Sequence, residues 1–314
     1  MTAKEVADAL LALDKVYILT HVNPDADALG SSFGLCAFLR NHGKTADVVT
    51  EKSIPGNYAF MNIKPILKTD ANEQRDVIVL DSGDKKRMGE CEELFDRASH
   101  TIVIDHHGTN EGYGDISFVC GGKSSTGEII YEIIMASGLE YNKKIAMLLY
   151  AAIISDTGGL RYSSTTPDTV RVVAELMEYG LDVAYINRML FENTPMRKIK
   201  LKNLVLSTLR VKLGDKVAIV HATEEMMQET ETTDDDTEGF VNIAREIEGV
   251  EVGIFLKERS DEIKISIRSN EYVDVSKVSK KMGGGGHFHA GGCSYKGTLE
   301  DAEKTVLNLI EPLL

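Results

Sequence analysis

The sequence has no long apolar run, no cysteine pair at metal-ligand spacing and no lysine- or arginine-rich tract, and each absence removes a class of protein. Without about 20 consecutive apolar residues, no helix is expected to span a bilayer, so no membrane partner is expected. The four cysteines, Cys36, Cys91, Cys120 and Cys293, lie far apart with no C-x-x-C spacing. They are expected to be reduced, structural thiols rather than a disulfide framework or a zinc site. A formal net charge of −14 with dispersed basic residues would repel a long phosphate backbone, which argues against long duplex nucleic acid. A small anionic substrate held through metal ions fits better. No Ser-His-Asp or Cys-His arrangement stands out, in keeping with water as the nucleophile. Internal repeats and low-complexity linkers are likewise missing.

What is present is an ordinary globular composition, 43% hydrophobic and 27% charged, over 314 residues, a length that predicts two domains. The stretch MTAKEVADALLALDKVYILTH spaces its apolar residues helically among Lys4, Glu5, Asp8 and Asp14, unlike a secretory leader, so a cytoplasmic location is expected. From Val16 the apolar runs VYILT, ADVVT, DVIVL and TIVI alternate with amphipathic stretches such as SSFGLCAFLRNHG. That rhythm predicts an α/β fold, a parallel β-sheet flanked by helices on both faces. GEIIYEIIMASG, KKIAMLLYAAIIS, DTVRVVAELMEYG and VAYINRMLFEN then predict consecutive helices with no strand between them.

The texture changes at about Thr194 to Lys202, which places a boundary between domains 1–193 and 194–314. The second is expected to be a smaller C-terminal α/β domain. Its elements read as a hairpin, LVLSTLRVKLGDKVAIVHA, turning at Gly214 and Asp215, then a solvated acidic segment from Glu224 to Glu238. The helix FVNIAREIEG, the strands VEVGIFLKE and EIKISIRS, a glycine-rich loop and a last helix from Leu299 come next.

Three apolar strands each run into a metal-competent side chain: YILT into His21, VIVL into Asp81, and TIVI into Asp105, His106 and His107. In an open parallel sheet the carboxyl ends of the strands converge on one crevice, so these residues are expected to become neighbours. Asp25 and Asp27 come after His21 in HVNPDADALGSS, spaced so that adjacent cations could each take one, and Asp156 ends the apolar helix KKIAMLLYAAIIS. Carboxylates with imidazoles and no thiolate suit manganese better than zinc, and two Mn2+ are expected, with Mg2+ or another divalent cation left open. Such a pair activates water and steadies both oxygens of a phosphoryl displacement. In the second domain, GGGGHFHAGGC would bring backbone N–H groups of Gly285 and Gly286 close to a phosphate or sugar, with His287 and Arg268 adding contacts. The site is therefore expected in the cleft between the domains. His42, His100 and His221 are read as surface or packing residues. Arg161 is divided evenly between phosphate contact and ion pair, and Ser124, Ser125 and Thr126 are read as helix caps that could also meet an anion.

The ordered set HVNPDADALGS, VLDSGD, DHHGTN, SDTGG and GGGGHFHAGG resembles the successive motifs of the DHH phosphoesterase superfamily with its associated C-terminal domain, most closely its NrnA-like branch. The resemblance implies one metal bound by His21, Asp25 and Asp81 and a second by Asp27, Asp81, His106 and Asp156, with Asp81 bridging. It implies that His107 contacts the substrate phosphate and gives a proton to the departing oxygen, that Asp105 orients its neighbours, and that Arg268 and His287 bind substrate. Where relatives have Pro-x-Ala-Ala-Gly after the glycine-rich histidine, this chain has Phe288, His289, Ala290, Gly291 and Gly292, which bears on substrate preference. The implied activity is a manganese-dependent exonuclease that hydrolyses short oligoribonucleotides to 5′-mononucleotides, together with conversion of 3′-phosphoadenosine 5′-phosphate to AMP. The alternatives are a phosphodiesterase for cyclic di-AMP or its linear product and, from another class, a catalytically silent nucleotide-binding module. Oligomeric state is left open, a homodimer included.

Overall fold

In the computed structural model, which describes residues 1–67, 73 and 75–314 apart from the side chain of His287, the four N-terminal apolar runs and one further segment form five parallel strands. These are β1 (Lys15–Leu19), β2 (Thr45–Val48), β3 (Asp76–Leu80), β4 (Thr101–Asp105) and β5 (Ile116–Val119). Helices of the same unit are α1 (Ala3–Ala12), α2 (Ala26–Asn41), α3 (Glu92–Arg97), α4 (Thr126–Ser137), α5 (Lys143–Asp156), α6 (Pro167–Met177) and α7 (Val183–Phe191). The Val/Ile-rich strands bury both faces, as parallel strands under helical layers must. Alternation sends Ile18, Ile78, Leu80, Ile102 and Ile104 into a core shared with α1, α2, α4 and α5. Tyr17, Leu19, Val77, Val79 and Val103 go the other way, against Met88, Cys91 and Phe95. The four helices expected after residue 120 are present with no strand between them, whereas the short strand β5 had no sequence signal.

The sheet order is β2-β1-β3-β4-β5. From β1 the chain crosses to β2 on one side, and β3 then pairs with β1 on the other, with Leu19 beside Val79. Beyond those two residues the connections part in opposite directions and leave a crevice at the carboxyl ends, the place where open α/β sheets take ligands.

The chain divides into two compact units, Met1–Asn193 and Thr194–Leu314. The second contains α8 (Met196–Ser207), β6 (Arg210–Lys212), β7 (Val217–Ala222), α9 (Glu224–Glu229), α10 (Val241–Arg245), β8 (Val252–Glu258), β9 (Ile263–Ser269), α11 (Val275–Lys281), β10 (Gly285–His287), β11 (Ala290–Tyr295) and α12 (Leu299–Ile310). Its sheet, β10-β11-β9-β8-β7-β6, is antiparallel except for the β7–β8 pair.

Three sequence expectations change here. Leu204 to Ser207 belong to α8, because Leu201 and Val205, four apart, are both fully buried on one core; the hairpin's first strand shrinks to β6. The acidic segment is only partly solvated: Asp236 is buried and takes Arg197 at 2.9 Å, and Asp234 pairs with Lys257 and Arg259. The glycine-rich stretch is a strand pair rather than a loop, with Gly285 opposite Gly292 and Gly286 opposite Gly291. Gly286 has φ +148° and an added Cβ would lie 2.1 Å from the Ala290 carbonyl oxygen, so this turn of chain admits no side chain. Among the described residues no helix is long and apolar enough to cross a membrane.

Candidate metal centre

At the β1/β3 crevice, β1 delivers His21 two residues past its end and Asp25 caps α2, accepting from the amides of Asp27 and Ala28 at 3.0 Å each. Asp81 comes directly after β3 with φ +55°, a left-handed backbone that aspartate tolerates better than most residues. A sparsely populated conformation at a strand end is the kind of local strain that surrounding structure enforces at working sites. Asp105 ends β4, His106 and His107 come next, and Asp156 is the last residue of α5.

The six residues expected to hold metal come together. Ligand atoms of His21, Asp25 and Asp81 all lie within 4.8 Å of one another, and so do those of Asp27, His106 and Asp156. Asp81 joins the two groups: its Oδ2 is 3.9 Å from His21 Nε2 and its Oδ1 is 3.5 Å from His106 Nε2. His106 Nε2 is also 3.7 Å from Asp156 and 4.0 Å from Asp27. A further triplet, Asp81, His106 and His107, has compatible spacing, so His107 is itself within reach of a cation beside Asp81.

The electrostatics favour an outside cation. Burial, then repulsion from Asp81, Asp156 and Asp25, holds the Asp27 carboxyl well above its ordinary range. Burial and the neighbouring Asp25 raise Asp81, and burial with Asp25 and Asp81 pushes Asp156 up to about 8. Burial lowers the pKa of His21 despite the adjacent carboxylates, leaving a neutral imidazole suited to ligation. Acids so placed are short of positive charge, and a divalent cation would supply it. The donor set, oxygens and imidazoles without a thiolate, fits that role.

Gly127 escapes sequence reading, and Thr126 is read there only as a helix cap that could also meet an anion. The first turn of α4 points at the cluster: the amides of Thr126 and Gly127 donate to Asp27 Oδ2 and Oδ1 at 2.8 Å each, and the Thr126 hydroxyl donates to Asp81 Oδ1 at 3.0 Å. The helix start thus meets an anion, but the anion is the chain's own carboxylate, while Ser125 caps the helix by accepting from Glu128. Nothing in SSTGEII distinguishes this from an ordinary cap, and Asp27 lies about a hundred residues away in sequence.

His107 Nδ1 sits 2.7 Å from Asp105 Oδ1, and Asn110 donates to Asp105 Oδ2 at 2.8 Å. Although burial pushes Asp105 up, these bonds hold its carboxyl below the usual range; His107, lowered by burial, is raised overall by the same partner. Arg161 donates to the Gly158 carbonyl at 2.5 Å and makes no ion pair among the described residues. In the second unit Arg268 lies on β9 opposite Ala290 and donates to the Ile267 carbonyl at 3.0 Å. Gly285 and Gly286 sit in β10, and the expectation for the His287 side chain falls outside the described residues.

Comparison with known proteins adds the context. The model of the DHH family, N-terminal domain, matches residues 15–153, and that of the DHHA1 domain matches residues 209–313. The bifunctional oligoribonuclease and PAP phosphatase NrnA of Thermus thermophilus is 34% identical, over 97% of this chain and 92% of its own. The crystal structure of an exopolyphosphatase-related protein from Bacteroides fragilis superposes with a TM-score of 0.91 at 29% identity, over 99% of this chain and 97% of that one. RecJ of Thermus thermophilus in complex with Mn2+ shares the fold, with a TM-score of 0.53 at 13% identity, over 99% of this chain and 54% of that one.

Proposed function

The chain belongs to the DHH family, with the associated C-terminal domain, and is a hydrolase of phosphoester bonds; we propose that it is manganese-dependent and hydrolyses short oligoribonucleotides to 5′-mononucleotides and 3′-phosphoadenosine 5′-phosphate to AMP. The observation that carries this reading is the convergence of His21, Asp25, Asp27, Asp81, His106 and Asp156 on one crevice, in a chain 34% identical to a relative named for both activities. Two divalent cations bound there would activate a water and steady the phosphoryl oxygens.

The chain's own residues then have separable tasks. His21 and Asp25 on one side, Asp27, His106 and Asp156 on the other, and Asp81 between them would hold the cations. Thr126 and the first amides of α4 fix the Asp81 and Asp27 carboxylates, so the ligands need not reorganise as charge moves. Asp105 holds His107 through Nδ1, which leaves the Nε2 proton to go to the oxygen released when the phosphoester bond breaks. Arg268, Gly285, Gly286 and His287 are assigned to substrate binding, Arg268 because its planar fork suits a phosphate or stacks on a base.

The test is incubation of purified protein and manganese with an end-labelled diribonucleotide, 3′-phosphoadenosine 5′-phosphate and cyclic di-AMP in parallel. Release of 5′-mononucleotide, stopped by chelator, is expected, with the cyclic dinucleotide consumed more slowly. An intact diribonucleotide overturns the reading.

A further inference from the structure

The proposed metal ligands and their neighbours leave one problem of charge. The cluster is built of acids and imidazoles, and the substrate class brings further negative charge, yet among the described residues neither the six ligands nor their hydrogen-bond partners include a lysine or arginine able to receive a phosphate oxygen. Residues 85–91, KKRMGEC, come shortly after Asp81 and form a short 3-10 turn that holds none of the proposed ligands.

That turn is tied to the site by its backbone. The Val22 amide, next to His21, donates to the Arg87 carbonyl at 2.9 Å. Asp84 caps the turn by accepting from the Arg87 amide at 3.3 Å. Gly89, at φ +59°, lets the turn lie against this loop: a Cβ there would meet Val22 Cγ1 and the Glu51 carboxylate. Gly83, at the entrance to the turn, faces His107: a Cβ there would lie 3.6 Å from the His107 Cβ and 3.7 Å from its ring Cγ. The loop that carries His21, the ring of His107 and the chain leaving Asp81 thus border the segment that carries Arg87.

The side chain is exposed, and among the described residues it makes no hydrogen bond or ion pair. The bond from the Val22 amide sets the Arg87 backbone on the His21 side of the cluster. An arginine whose backbone is pinned beside the His21 loop and whose exposed head makes no hydrogen bond or ion pair among the described residues is suited to bind an oxyanion bidentately.

We propose that Arg87 is a substrate-binding residue of the first unit, donating to a non-bridging oxygen of the phosphoryl group under attack on the side of the cluster formed by His21, Asp25 and Asp81. This rests on the phosphoester reading of the site. Arg87 holds no metal and transfers no proton; it offsets phosphate charge and sets the phosphorus against the nucleophile. Lysine in its place keeps the charge and loses the fork.

The experiment compares wild type, Arg87→Ala and Arg87→Lys. Manganese binding is measured by calorimetry, inorganic phosphate binding by calorimetry on the manganese-loaded protein, and diribonucleotide hydrolysis by steady-state kinetics. For Arg87→Ala, manganese affinity and melting temperature are expected to match wild type, while phosphate affinity falls about tenfold and kcat/KM about a hundredfold, the range for one charge-assisted contact that strengthens in the transition state. Arg87→Lys is expected to recover part of the phosphate affinity, and added guanidinium to restore part of the Arg87→Ala rate.

Equal phosphate affinity in wild type and Arg87→Ala overturns the proposal. So does a parallel fall in manganese affinity, which would mark Arg87 as a support for the ligand loop. If wild type binds phosphate but leaves the dinucleotide intact, the substrate reading fails, and a lower phosphate affinity in Arg87→Ala still upholds this one.

Discussion

The metal centre of the first unit and the second unit treat buried acids in opposite ways. In the second, Glu251 is almost fully buried and accepts from the amides of Glu271, Tyr272 and Val273, the last at 2.9 Å. Burial pushes its neighbour in kind, Asp236, upward, but the bond from Arg197 and the Thr233 amide hold that carboxyl below its ordinary range. In the first, Asp27, Asp81 and Asp156 crowd together and all three rise. The second unit's acids are satisfied from within the chain and serve the fold. Asp27, Asp81 and Asp156 await charge from outside, unlike Asp105 beside them, which His107 and Asn110 satisfy, and that shortfall rather than acidity itself marks the working site.

The contrast breaks most visibly at Asp81. Asp81→Ala is expected to lower metal-dependent kcat by about 1,000-fold or more while leaving far-ultraviolet circular dichroism unchanged, and the metal-free protein should melt no lower than wild type because a buried repulsion is gone. Retained turnover with manganese would contradict the bridging assignment. Glu251→Ala is the counterpart: three amides lose their acceptor, so a loss of about 2–4 kcal/mol in denaturant unfolding is expected, with manganese affinity unaltered. An unchanged unfolding midpoint would mean that water serves those amides as well.

Thr126→Val keeps the backbone bond to Asp27 and deletes only the hydroxyl bond to Asp81. Manganese affinity by calorimetry should fall at least about tenfold, the lower end for outer partners of metal ligands, and an unaltered isotherm would show that the hydroxyl positions nothing. Arg268→Ala should raise KM about tenfold with kcat nearly unchanged, since its assigned contact is alike in ground and transition states. Equal KM values would remove it from the site.

The smallest effect is a pH dependence. Acids raised in the folded state stabilise it most fully below their unfolded value near 4 and lose that contribution as pH rises through the folded value, which for Asp156 is about 8. His107, also raised, acts in the same direction, and His21, lowered, acts against it. The metal-free protein should therefore lose a few degrees of melting temperature between about pH 5 and pH 8, and manganese should restore them. A metal-free melting temperature that climbs across this window would place Asp27, Asp81 and Asp156 with the acids of the second unit.

Much of this architecture was legible because strand ends advertise themselves. VYILT, DVIVL and TIVI are too apolar and β-branched for surface segments, and the residues just past their carboxyl ends must gather at one edge of a parallel sheet. Contacts across the sequence were not legible. Thr126 and Gly127 look like the start of any helix until the fold places Asp27 over them. Leu204 to Ser207 failed for another reason, since the short apolar run Leu204 to Leu206 suits a strand and a buried helix turn equally, and only the partner core decides. The glycines from Gly283 looked like an open loop because sequence carries no register, yet β9 and β11 supply a ladder on which they lie flat. Arg87 drew no notice because nothing in KKRMGEC reveals the bond from Val22.

The inward aim of α4 has a consequence for how the site can be watched. Its first two amide protons are shared with the Asp27 carboxylate, so a cation that draws on the same carboxylate would polarise and tighten both bonds at once. The amide signals of Thr126 and Gly127 thereby become internal gauges of occupancy, readable by solvent exchange without any substrate.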